Sequence, residues 1–207
     1  MTTPTRDELS SRMRRRKFKA ILAGGLALGL GTTITLAAWN DSEYASGTFT
    51  AGQFNMVGST DGIDYADHDT PGGAAALAFS TGFDNMSPDD VVAAPFAVRL
   101  DENTTYDATV TVASATPDPI GFVGLTYGIA TVVAFGDCAP TPADPTWIVA
   151  EGTALDSVAG ASTFNLTRGP PTTPGDPVFL CFVVTASSDL EQGTSVTETW
   201  QLLATSE

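Results

Sequence analysis

The stretch Val178-Phe179-Leu180-Cys181-Phe182-Val183-Val184-Thr185 is apolar at odd and even positions alike. A strand of that kind has no polar face to turn to water, so it suits the centre of a sheet covered on both sides. Upstream, Tyr106, Ala108, Val110 and Val112 alternate with Asp107, Thr109, Thr111 and Ala113, the period of a strand with one buried face. Val91 to Leu100 is a further strand, in which Pro95 predicts an edge or a bulge. Downstream, Ser195 to Ala204 carries Val196, Thr197, Thr199 and Trp200, which favour the pleated state. Shorter strands are expected at Phe49 to Val57, Ala76 to Phe79, Leu125 to Val133 and Trp147 to Ala150. Asp61-Gly62, Pro71-Gly72-Gly73, Gly160 and Pro170-Pro171 punctuate the intervals, and Asp137 to Pro145 and Phe164 to Gly175 read as proline-rich loops. The pattern is that of an all-β, antiparallel β-sandwich.

The N-terminus follows a different rule. Arg12, Arg14, Arg15, Arg16, Lys17 and Lys19 precede an uncharged run from Ala20 to Ala38. A basic n-region over 1–19, an apolar h-region over 20–37 and small residues at Ala37 and Ala38 make a helical secretory signal peptide cleaved at that point. The uncharged run could also just span a bilayer as a retained anchor. Glycines at 24, 25, 29 and 31 and threonines at 32, 33 and 35 leave it weakly apolar, so cleavage fits better. Arg15-Arg16-Lys17-Phe18-Lys19 loosely resembles a twin-arginine signal, which leaves the export route open between that and the general one. Each of these routes puts residues 38–207 outside the cytoplasm, with membrane contact only through the signal before cleavage.

Export changes the charge balance. Seven of the nine Lys and Arg lie at or before Lys19, leaving Arg99 and Arg168, while only Asp7 and Glu8 of the 24 acidic residues do. The exported part sets 22 acids against 2 bases, a formal charge of −20. Nucleic acid and anionic membranes would repel such a surface. The charge serves solubility outside the cell, and it makes self-association sensitive to metal ions or low pH, because neighbouring copies repel unless screened. Residues 38–207 suffice for one domain burying roughly 70% of the surface its unfolded chain exposes, and no linker or repeat divides them.

Cys138 and Cys181 are the only cysteines, so an exported chain pairs them in one disulfide. Closing that loop stabilises the fold by about 4 kcal/mol on the chain-entropy model. Catalytic chemistry finds little footing, and the chain reads as a non-enzyme. His68 is the sole histidine, which excludes a two-histidine zinc site, and no Gly-x-Ser-x-Gly elbow or phosphate loop occurs. The densest polar cluster is Asp61, Asp64, Asp67, His68 and Asp69. Its oxygens could hold Ca²⁺, although it lacks the Gly and Glu of an EF-hand loop; the other reading is a solvated acidic loop. No other cofactor is implied. Asn85, Asn103 and Asn165 begin Asn-x-Ser/Thr triplets, which a bacterial-type signal makes chance matches.

The run from Thr35 to Gly52, TLAAWNDSEYASGTFTAG, places Ala37-Ala38 before Trp39-Asn40-Asp41 and Ala45-Ser46-Gly47-Thr48. It resembles the junction of proteins cleaved by the dedicated SipW-type signal peptidase, the TasA/camelysin biofilm-matrix family. Ser87-Pro88-Asp89-Asp90 before one strand, and Gln192-Gly193 before the last, extend the resemblance into the domain. It implies a jelly-roll-like sandwich, secreted to the cell surface or extracellular matrix, that self-associates into a homopolymer. It also implies processing by a SipW-type peptidase and assembly by donor-strand β-augmentation. The donor would be residues 38–50, with Trp39, Tyr44 and Phe49 as its apolar side chains. The same segment could instead fold back as strand one of its own domain, which avoids the entropy of association. A monomeric surface-binding or adhesion module and a camelysin-like metalloprotease are the alternatives from other classes.

Overall fold

The computed structural model describes residues 13–22 and 41–207. The chain forms two units, Met1–Phe49 and Thr50–Glu207. In the first, residues 13–22 are helical and exposed, and residues 41–49 take no regular structure. The apolar run beyond residue 22, the cleavage residues Ala37 and Ala38, and Trp39 lie outside the described residues. No described helix is long and apolar enough to cross a membrane.

The second unit is an antiparallel sandwich of eight strands: β1 (Met56–Ser59), β2 (Val91–Leu100), β3 (Ala108–Asp118), β4 (Leu125–Val132), β5 (Thr146–Ala154), β6 (Phe164–Leu166), β7 (Val178–Ala186) and β8 (Thr197–Ser206). One sheet has the order β1-β2-β7-β4-β5 and the other β6-β3-β8. The pairs nest: β4 with β5, β3 with β6, and β2 with β7. That nesting is the jelly-roll pattern with its outermost pair missing, because β1 pairs with β2 and not with β8.

β7 is central, as its composition requires. Leu180, Phe182 and Val184 enter the main core between the sheets with Val98, Leu100, Val110 and Ile129. Cys181 and Val183 face the opposite way into a smaller core with Ala93 and Val132, flanked by Phe179, Trp147 and Cys138. Pro95 sits on β2 between two strands, yet breaks no ladder. Ala93 bonds through its own N and O to Ser80, so odd positions of β2 point away from β7. The partner on that side, β1, reaches only Ala97 to Leu100, which leaves Pro95 at a local edge where no donor is needed.

Three expectations from sequence change. The strand expected from Phe49 begins only at Met56, because Gln53 and Asn55 spend their backbone groups on Thr104, Thr105 and Asp101 of the β2–β3 loop. Ala76 to Phe79 forms no ladder, although Leu77 and Phe79 still pack on the core. Phe164 to Leu166, expected within a loop, is β6, held by pairing with Val110 to Ala108 of β3.

Candidate functional site

The acidic loop folds around its own backbone. Asp61 Oδ1 accepts from Ser59 Oγ, Ile63 N and Asp64 N, each at 2.8 Å. Those bonds hold its carboxyl below the usual range. Asp67 Oδ1 accepts from Asn55 Nδ2 at 2.9 Å, and His68 Nδ1 lies 3.2 Å from the Gly73 carbonyl oxygen. Asp61, Asp64, Asp67, His68 and Asp69 are therefore strung along the loop: among the described residues no three acidic, histidine or cysteine groups gather as a metal site would need. The loop's inward anchor is Tyr65, which no motif marks. Its ring lies 3.8 Å from the Arg99 guanidinium carbon, and burial raises its hydroxyl pKa.

Cys138 and Cys181 form the expected disulfide across 43 residues. It fastens the β4–β5 connection over the outer face of β7, where Phe135 meets Phe179 edge to face. Two surface hollows, one lined by Asp107 and Thr167 to Pro171, the other by Gly121 to Val123 with Glu191 and Thr194, are open depressions and not enclosed clefts. Of the residues expected from sequence to act in assembly, Tyr44 and Phe49 are 95% and 96% exposed.

The four sheet edges differ in how they are protected. β1 and β6 are four and three residues long. β5 has two register shifts against β4 and a left-handed Gly152 (φ 82°). Short edges and irregular ladders are ways in which proteins blunt strand addition. β8 is longer and less interrupted: it is ten residues of TETWQLLATS, without Lys, Pro or Gly, and among the described residues only its β3 side is paired. Its one ladder irregularity is an extra residue, Ala113, on β3. That bulge returns Ala115 and Pro117 to the core side, opposite Trp200 and Glu198.

Along β8 the inward positions Glu198, Trp200, Leu202 and Ala204 are only half-buried, so the sandwich is thinly covered there. The Trp200 ring packs 5.0 Å from that of Phe182 and 5.6 Å from that of Tyr127. Tyr127 donates its hydroxyl to the Ser157 carbonyl at 2.7 Å, and burial, reinforced by Glu198, pushes its pKa up to about 12. Both carboxylate oxygens of Glu198 and the indole Nε1 of Trp200 are inaccessible to solvent and have no hydrogen-bond partner among the described residues. Burial raises the Glu198 pKa to about 7; the peptide groups of Thr116 and Thr199 pull it partway back, and the charge of Asp156 pushes it up. Sequence reasoning passed over Glu198. The signal was its parity, two residues from Trp200 on what a strand must make the same face.

The chain matches no protein-family model and shows no significant similarity to a curated protein.

Proposed function

We propose that this is a secreted structural protein of the cell surface or extracellular matrix, whose copies join by adding the segment 38–50 of one to the β8 edge of the next. The observation that carries the reading is the long β8 edge, where an eight-stranded jelly roll would have its first strand and the described residues supply none. Extended, the candidate donor puts Ala45, Gly47 and Phe49 on one face, continued by Ala51, and Tyr44, Ser46, Thr48 and Thr50 on the other. An added strand satisfies the free backbone groups of β8 and covers its half-buried inward row. From Tyr44 to Gly52 the segment has no charge, so the approach of two acidic copies is least opposed there. The disulfide suits an oxidising, extracytoplasmic setting. The resemblance of the export junction to the SipW-processed family supports the same reading, with cleavage at Ala37-Ala38 freeing the donor.

Negative-stain electron microscopy of the chain from Ala38, beside a variant lacking 38–47, tests it at neutral and acidic pH and with and without Ca²⁺. Filaments that vanish on truncation are the expected result; monodisperse particles in every condition overturn it. The second reading, a surface-binding module, is favoured by Ile120 and Val123, 84% and 67% exposed on the β3–β4 loop.

A further inference from the structure

We propose that Glu198 is a proton-operated latch on strand β8: protonated, it lets the strand lie against the core; ionised, it loosens the strand from it. The inference rests on where the carboxyl sits. Glu198 points inward from a strand that is paired on one side only among the described residues, two residues from Trp200 and opposite Pro117 of β3. Both its oxygens are shut off from water without a hydrogen-bond partner among the described residues. A neutral carboxyl tolerates such a place at modest cost, whereas a carboxylate does not.

The surroundings offer the charged form little relief: the peptide groups of Thr116 and Thr199 favour it only in part. From the β5–β6 connection Asp156 faces it with like charge. From β4 comes the Tyr127 phenol, whose proton is already given to Ser157. β3 presents the peptide groups of Thr116, and β8 itself those of Thr199. Neither base of the sandwich is hydrogen-bonded to it: Arg99 is stacked on Tyr65, and Arg168 lies beyond β6. Ionisation can be relieved only by moving the carboxylate to water. On an edge strand with one partner, that costs the N-terminal half of β8 its seat and the core the cover of Trp200.

The latch itself is a property of a single copy; its use as a gate on assembly rests on the function proposed above. Strand addition needs β8 in place, so acid would favour joining and alkali would oppose it.

Hydrogen exchange on the full-length chain, at concentrations where it is monomeric, separates the two. Protection factors of the β8 amides from Thr197 to Leu202 are expected to fall by about tenfold between about pH 5.5 and about pH 8.5, while those of β7 hold. In Glu198→Gln the β8 values stay high at both. An equal fall in Glu198→Gln, or none in the unsubstituted chain, overturns the latch. Should Glu198→Gln not fold, Asp156→Asn serves: removing the like charge is expected to shift the transition to lower pH, and an unmoved midpoint overturns the assignment. Direct carbon-13 titration of the Glu198 carboxyl is an independent test, since a midpoint near 4.5 is incompatible with the latch. For assembly, filaments lost above neutral pH in the unsubstituted chain but retained in Glu198→Gln support the gate. Filaments that never form overturn the assembly reading alone, and the exchange result then decides the latch.

Discussion

β7 and β8 are adjacent in sequence and opposite in situation. β7 has a strand on each side and a packed core on each face. β8 has a strand on one side, a half-buried row on one face and polar residues with Leu203 on the other. The first spends its apolar residues on holding the domain together. The second keeps a hydrogen-bonding edge that is unpaired among the described residues and a buried acid, neither of which adds stability to a lone copy at neutral pH and above. The packing is densest at the centre of the five-stranded sheet, and the proposed capacity to join or respond sits at the rim of the three-stranded one.

The largest effects are expected on the β7 side. Replacing Cys138 and Cys181 together by serine removes a cross-link spanning 43 residues and is expected to cost about 4 kcal/mol in denaturant unfolding. A loss near zero would mean that the small outer core holds the β4–β5 connection without it. Next, Leu180→Ala on β7 should destabilise by about 3 kcal/mol, because Leu180 is fully buried and its cavity cannot collapse between two sheets. Leu202→Ala, on the half-buried row of β8, should cost about 1 kcal/mol. Equal losses at the two positions would erase the contrast and show β8 to be as integral as β7.

The same contrast governs what sequence could reveal. β2, β4 and β7 are placed to within a residue because their residues leave water no face or a single one. Val178 to Thr185 leaves water no face, which suits the central place it takes. β6 is invisible because three residues, Phe164 to Leu166, carry no period, and only the pairing with β3 makes them a strand. The early start expected at Phe49 fails for a related reason: the backbone of Gln53 and Asn55 is claimed by Thr104 and Thr105, some fifty positions away, which no local pattern encodes. The acidic loop draws attention by density alone, whereas the geometry gives Asp61 a turn to cap and Asp67 an amide to accept from. Glu198 is the reverse case, a single acid whose meaning lies in parity and not in number.

A pH titration of stability sharpens the comparison at the rim. Glu198 has a folded pKa raised from 4.5 to about 7, so its contribution is fully present below 4.5 and is lost as pH rises through about 7. Asp61 runs the other way: its carboxyl is lowered from 3.8, so its contribution holds above that value and fails as pH falls further. The unsubstituted chain is expected to lose stability between pH 4.5 and 7, with the whole acidic surface adding a background. Glu198→Gln removes one buried acid and leaves the exposed ones in place, so the difference between the two curves isolates the buried group. Parallel curves would assign the whole slope to the surface.

The smallest effect on the monomer should carry the largest on assembly. Leu203 is 48% exposed on the outer face of β8, so Leu203→Lys is expected to change unfolding free energy by no more than about 0.5 kcal/mol. Lysine on an edge strand is one of the means by which proteins prevent strand addition. The substitution also reduces the net negative charge of residues 38–207 by one. If copies were held apart or joined only by screening of their overall charge, Leu203→Lys would assemble more readily than the unsubstituted chain. If they join along β8, it should assemble less or not at all, in spite of the weaker repulsion. The two mechanisms predict opposite signs for one variant, and light scattering at matched concentration and ionic strength reads the sign directly.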